Sequence, residues 1–489
     1  MGRTIGKQAI VVGAGIGGLA AAQALAGYFD RVIVIERDYL PEDAVSRTGT
    51  PQDRHPHGLL YGGQRALGKL FPGVEHDLVA AGGVLLPSHE FRYEIPGIPA
   101  MPQRDFGWST CFMSRPLLEL TLRRSLLRRD NVELRSGCRA LALVPSPDRA
   151  AVVGLLFETE EEGREALPAD LVIDASGRGA LSLALLKSIG HQLPDQTAVG
   201  VDLGYSTAIF AIPDDAPADW RAAATMAAAP KTSRAAYLFP IEGERWMVLV
   251  SGRGNDKPPG DWDGFMEYAR HLTTPTIYNA TKNAVRLGEI RRFAFTGSSW
   301  RHFERLDVLP RGLLPLGDSI CRFNPVYGQG MSVAAKEARL LQQILQARAG
   351  KRDPLAGLGE AFLAGCEPLI EAPWTLSTIP DFVFPDTTGE RPSDFDETLK
   401  FSAALFRTAH RDPNVHKTMT EVMHLVKPPS VYRDREFQQQ IEAEIAEMAD
   451  ASQAEAAGDR PEGDGGNTAL VVGISRHAGR RRLGLPRTI

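Results

Sequence analysis

The chain has 489 residues, with 55 basic and 60 acidic side chains and a formal net charge of -5. That balance gives no strong field for nucleic acid or an anionic membrane. Hydrophobic residues at 43% and charged residues at 24% fit a folded protein with more than one packed region. Cys111, Cys138, Cys321 and Cys366 form no CxxC pair, so neither a disulfide framework nor a zinc site is expected, and no metal ligand is assigned. The start lacks a signal-peptide pattern and no run reads as a membrane span. A reducing cytoplasm is the expected setting.

In chain order, "AIVVGAGIGGLAAAQAL" reads as a strand, a glycine turn and a helix, with "RVIVIERD" as the next strand. Gly13, Gly15 and Gly18 carry the GxGxxG spacing, which lets backbone N–H groups approach a diphosphate at a helix N-terminus. Glu36 ends the following strand, where a carboxylate holds a ribose hydroxyl pair. Arg37 reads equally as a cover for adenine or as a surface charge. FAD and NAD both suit this unit.

Residues 40–65 read as a polar loop leading into a helix, and "RPLLELTLRRSLLRR" at 115–129 as a helix. "VELRSG" and the stretch from 151 to 177 alternate like strands. Asp174 and Gly177 sit in a second strand-to-glycine turn, read as structural or as backing residues that contact a nucleotide's own ligands. Residues 197–300 read as sheet with a helix near "WDGFMEYARHL". "GLLPLGDSICRFNPVYGQGM" then gives strand, loop and helix, with Asp318 at the strand end and Gly328, Gly330 and Met331 at the turn. An aspartate there can accept from a ribityl hydroxyl, and the turn can aim N–H groups at a flavin ring.

These segments, in this order, resemble the FAD-dependent monooxygenase superfamily of aromatic hydroxylases, squalene monooxygenase and flavin halogenases. "RTGTPQDRHPHGLL", "SRPLLELTLR", "DLVIDASGRG" and "GDSICRFNPVYGQGMS" are most similar to bacterial flavin epoxidases of polyether biosynthesis. The resemblance covers roughly residues 8–440. It implies an α/β fold: a Rossmann-like FAD-binding domain with an inserted β-sheet substrate domain and a mostly helical C-terminal region. The expected division is 1–196, with interleaved substrate-domain elements, and 301–350 for FAD, 197–300 for substrate, 351–450 helical, and 451–489 a flexible tail.

By that resemblance, Gly13, Gly15, Gly18 and Glu36 hold the ADP half, Arg115 approaches the phosphate–ribityl region, and Asp318 takes the ribityl chain. Pro325 and the turn from Gly328 to Met331 lie at the ring. The 47–58 loop, with Arg47, Arg54, His55 and His57, is placed near the ring, where cations stabilise a reduced flavin. Arg54, His55 and Pro325 are the candidate catalytic-environment residues; the plain alternative for the loop is a polar surface. Phe210, Tyr237, Phe239, Trp246, Phe323, Trp374 and Phe382 are candidates for the substrate wall, with core packing as the alternative.

The implied activity is FAD-dependent epoxidation or hydroxylation of an apolar alkene or aromatic compound through a flavin C4a-hydroperoxide. Dioxygen is the co-substrate, and NAD(P)H or a separate flavin reductase is the electron source. A flavin dehydrogenase, isomerase or cyclase is the alternative. Halogenation and a non-catalytic flavoprotein stand further off, because the halogenase WxWxIP signature is absent and no lysine is assigned to the halogenase role.

Overall fold

The computed structural model describes residues 4–161 and 163–457. Two sheets organise it. The first is a five-stranded parallel sheet in the order Leu313–Pro315, Leu171–Asp174, Gly6–Val12, Phe29–Ile35, Val132–Arg135. Its three central strands are rich in valine and isoleucine, and Ile10, Val11, Ile33 and Val34 are completely buried. A parallel sheet covered on both faces requires such continuous apolar runs. The helix Ile16–Leu25 follows the first strand directly. A three-stranded antiparallel meander, Arg139–Pro145, Val152–Thr159 and Gly163–Pro168, fills the crossover before Leu171–Asp174.

The second sheet has seven strands, in the order Cys321–Arg322, Arg286–Arg301, Gln196–Ala211, Arg245–Arg253, Ala235–Ile241, Ala222–Thr225, Phe91–Glu94. All neighbours are antiparallel except the last pair. Phe91–Glu94 comes from the early part of the chain, so the two regions are interleaved. Strand alternation sorts this sheet's side chains by face. Phe210, Trp246, Val248 and Val250 pack under the helices Trp262–Arg270 and Thr276–Thr281 in a separate core with Phe265. Sequence reading foresaw one helix here; the structure has two.

The C-terminal part is helical: Gly330–Arg348, Leu358–Asp381, Phe395–Arg411, Pro413–Met423 and Arg435–Ala457. The last helix carries past residue 451, so the expected tail begins inside it; residues 458–489 lie outside the described residues. No described helix is long and apolar enough to cross a membrane.

Two glycines differ sharply in the space around them. A Cβ on Gly18 would lie 1.8 Å from the Gly13 carbonyl oxygen, so the helix start packs flush on the turn before it. Gly68, in the helix Tyr61–Leu70, meets nothing within 4 Å. Gly18→Ala should therefore cost about 2 kcal/mol through overpacking, whereas Gly68→Ala should add about 0.5 kcal/mol from chain entropy. Urea midpoints of the two variants check this; equal effects would contradict the turn geometry.

Candidate functional site

The first strand ends at Val12 and the chain turns through Gly13, which has φ +102° and whose Cβ would lie 2.6 Å from the Ala175 carbonyl oxygen. Gly15 caps the helix, and a Cβ there would meet only the Arg115 guanidinium, 3.8 Å away. The helix N-terminus therefore opens toward a groove. Gly15, Gly17, His57, Gly58, Arg115, Gly177, Asp318, Arg322, Phe323, Pro325 and Gly328 to Met331 line it. Free backbone N–H groups at one end suit a diphosphate.

Glu36 is buried beside the turn. Its Oε2 accepts from the Ala14 N–H at 2.7 Å and its Oε1 from the Asp38 N–H at 3.1 Å. Arg47 reaches it at 3.4 Å and also pairs with Asp38 at 2.7 Å and Glu119 at 3.1 Å. Arg115 bonds the other Glu119 oxygen at 3.0 Å. Two guanidinium groups thus tie three carboxylates into one framework behind the Gly13–Gly15 turn. Arg37 is exposed and lies 3.9 Å from Asp38.

At the other end, Asp318 follows the strand Leu313–Pro315, and Arg301 fixes its loop by donating to the Asp318 and Ser319 carbonyls at 3.3 and 3.1 Å. The Asp318 carboxylate makes no hydrogen bond among the described residues, yet it lines the groove. Burial raises its pKa, against the opposing charges of Arg115, Arg322 and Arg301. An acceptor held without a partner in a groove fits a hydroxylated ligand chain. Asp174, fully buried, is instead satisfied by Ser176 and Ser182 at 2.6 Å each and supports the neighbouring turn.

A second cavity, of about 260 Å³, is mostly apolar. Alternate residues of several strands build its wall: Phe91 and Tyr93, Thr110 and Phe112, Ala224 and Met226, Tyr237 and Phe239. Trp108, Phe106, Leu376 and Pro380 close it, with His416, Met419, Thr420 and Met423 from one helix face and His424 just beyond. Groove and cavity share Gly58, Pro325, Gly328 and Gln329. The turn is pinned there: Gly328 has φ +69°, and a Cβ on it would lie 3.4 Å from the Gly58 carbonyl oxygen. Asp381, fully buried, accepts from the Tyr327 hydroxyl and Asn324 amide at 3.1 Å and pairs with Arg253.

No family model matches the chain. Protein Rv3254 of Mycobacterium tuberculosis is 34% identical over 398 residues, which is 78% of this chain and 81% of that protein. The chain belongs to the family of Rv3254. Its fold is also that of three solved structures of low identity. A flavoprotein/dehydrogenase from Cytophaga hutchinsonii matches with TM-score 0.62 at 14% identity, over 91% of this chain and all of that one (100%). The flavin-dependent brominase Bmp2 matches with TM-score 0.56 at 15% identity, over 92% and 99%. PqsL of Pseudomonas aeruginosa, a probable FAD-dependent monooxygenase, matches with TM-score 0.56 at 16% identity, over 76% and 96%. This chain thus has the architecture of flavin-dependent proteins, and the architecture alone does not choose among their reactions.

Set against this chain's expected sites, the groove brings together Gly15, Arg115, Asp318, Pro325, Gly328, Gly330 and Met331; Gly13, Gly18 and Glu36 shape it from behind. Tyr237 and Phe239 line the cavity. Several positions need correction. Arg54 is exposed and lines neither space. His55 points away, with Nδ1 on Thr207 Oγ1 at 2.8 Å and its ring edge-on to Tyr205. His57, two residues on, takes the groove position. Arg47 lines neither space and is held by Glu36, Asp38 and Glu119 instead. Phe210 and Trp246 lie on the opposite sheet face. Phe323 lines the groove rather than the cavity. Trp374 packs on Trp300 at 5.9 Å, and Phe382 packs on Phe395 at 6.5 Å.

Sequence reading missed Arg104, Trp108, His416 and His424. The signal for one wall was present: His416, Met419, Thr420 and Met423 follow the spacing i, i+3, i+4, i+7 of a helix face.

Two outcomes follow. Arg47→Met should cost about 3 kcal/mol, because it strands buried carboxylates; a urea midpoint shift below a third of that contradicts the framework. Burial, with the nearby charges of Arg54 and Arg115, lowers His55 and His57 to about 4 and about 3. Burial lowers His416 and His424 to about 4 each, the Arg104 charge adding to it for His416. An unfolded chain protonates these rings near pH ~6.5, so their contribution to stability is present at pH 7 and lost as pH falls from there toward 4. Imidazole NMR should show all four neutral at pH 6; midpoints near 6.5 contradict it.

Proposed function

We propose that this chain is an FAD-dependent monooxygenase that inserts one oxygen atom into an apolar aromatic or alkene substrate. The observation that carries the reading is the meeting of a dinucleotide groove and an apolar cavity at one turn, Pro325–Gly330 with Gly58. The residues present fit FAD. Gly15 and the helix N-terminus would take the diphosphate, Glu36 the ribose and Asp318 the ribityl chain. Arg115 and His57 line the stretch between them, and the Gly328–Gly330 turn would face the ring. When bound, that cofactor supplies the activation of dioxygen.

The chain's own residues supply the rest. The aromatic wall orients substrate toward the turn and excludes water from the reacting centre. The overall balance is substrate, dioxygen, NAD(P)H and a proton giving oxygenated substrate, water and NAD(P)+. The hydride comes from NAD(P)H directly or through a separate flavin reductase, the chain carrying a single GxGxxG fingerprint. Epoxidation is favoured over hydroxylation by the motifs of the 47–58 and 317–332 segments. No lysine lines either space among the described residues, which speaks against the halogenase chemistry of related folds.

Asp318→Ala should weaken FAD binding about tenfold or more, as expected for a lost hydrogen bond to a charged group. Gly15→Val should abolish FAD uptake by obstructing the diphosphate. Fluorescence titration with FAD checks both; unchanged affinity contradicts the groove assignment. The reaction itself is tested with the reduced, FAD-loaded protein, labelled dioxygen and a panel of apolar arenes and alkenes. One labelled oxygen per product is expected. Desaturated or rearranged product without label would favour the dehydrogenase or isomerase reading.

A further inference from the structure

The apolar cavity carries one cluster of charged and imidazole side chains on its helical wall. Arg104 enters it from the loop that precedes the strand Ser109–Phe112. Its guanidinium donates to the Ala409 and His410 carbonyls at 2.7 and 2.8 Å and approaches His416 Nδ1 at 3.0 Å. No carboxylate pairs with it among the described residues. Arginine has no acceptor and does not deprotonate, so Nδ1 of His416 must be the acceptor and Nε2 must carry the hydrogen. Burial and the Arg104 charge keep this ring neutral. Phe106 packs edge-on at 4.9 Å and fixes the ring plane. Nε2 has no hydrogen-bond partner among the described residues, and packing does not seal it.

His424 repeats the pattern. Its Nδ1 accepts from the Tyr61 N–H at 3.3 Å, which again leaves Nε2 as the N–H donor. Two oriented donors, one backed by the Arg104 guanidinium, therefore sit in a mostly apolar wall whose other polar side chains include Ser88, Thr110, Thr420 and the tyrosine hydroxyls. A ligand made only of hydrocarbon would bury these donors without partners, which is costly in a low-dielectric cavity.

Resting on the reading of this cavity as the substrate site, we infer that His416, polarised by Arg104, is a specificity residue that binds a hydrogen-bond-accepting oxygen on an otherwise apolar substrate. A carbonyl, phenolate or carboxylate oxygen meets this requirement. The acceptor is held at the His416 wall, while the apolar body extends toward the Pro325–Gly330 turn.

The test uses the FAD-loaded full chain and two isosteric probes, 2-acetylnaphthalene and 2-isopropenylnaphthalene, in equilibrium dialysis. The ketone should bind at least about tenfold more tightly than the alkene. His416→Phe should erase that preference, and His416→Gln, which keeps an N–H donor, should retain part of it. Flavin stoichiometry is measured separately by absorbance. Loss of flavin uptake would sink the oxygenase reading without changing the ketone-to-alkene ratio in the cofactor-free protein. Equal binding of the two probes by wild type, binding of neither, or an unchanged preference in His416→Phe overturns the inference.

Discussion

The site depends on how closely the helix Tyr61–Leu70 approaches the helix Gly330–Arg348. A Cβ on Gly63 would lie 2.6 Å from the Ser332 Cα, so only glycine permits the contact. Ser332 Oγ accepts a hydrogen bond from the Leu60 N–H at 3.0 Å. Gly62 faces the other way: its N–H donates to the His424 carbonyl at 2.8 Å, and a Cβ there would lie 2.4 Å from the Leu425 carbonyl oxygen. Lys336 closes the triangle by donating to the same Leu425 oxygen at 2.9 Å. Two adjacent glycines thus knit the loop at Gly58, the turn at Gly328 and the end of the His416 helix into one unit. The groove and the cavity share a boundary because these three segments cannot separate.

Much of the fold could be read from the sequence because parallel strands bury both faces. "AIVV", "VIVI" and "LVI" are apolar without alternation, and each is followed by glycine or by an acidic residue. Asp318, Gly328 and Gly330 were legible for a similar reason, since a strand end, a positive-φ turn and a helix start constrain residue type strongly. The substrate wall was far less legible. In the seven-stranded sheet both faces are covered by apolar groups, so Trp246 and Tyr237 look equivalent in sequence. Only the third dimension shows that one faces helices and the other the cavity.

The 47–58 loop makes the same point for charge. Residue composition placed two arginines and two histidines together, but their separate partners disperse them. Arg47 is drawn to Glu36, Asp38 and Glu119, Arg54 stays in solvent, and His55 turns to Thr207. His57 alone reaches the groove, held by its Nδ1–H on the His55 carbonyl at 2.7 Å. Extended backbone sends neighbouring-but-one side chains into different environments once the segment bends, and no local rule fixes which one meets the ligand. The cavity's polar end was hidden for another reason: Arg104 and His416 lie 312 residues apart and become a pair only after the helical region folds over the sheet.

The central claim is that flavin and apolar ligand meet at the Pro325–Gly330 turn. It is tested most directly by the visible absorption of the FAD-loaded protein while 2-acetylnaphthalene fills the cavity. A shift of the flavin bands that saturates with the probe's own dissociation constant is the predicted result. Saturable binding of the probe with flavin bands unchanged would place the two ligands apart and contradict it.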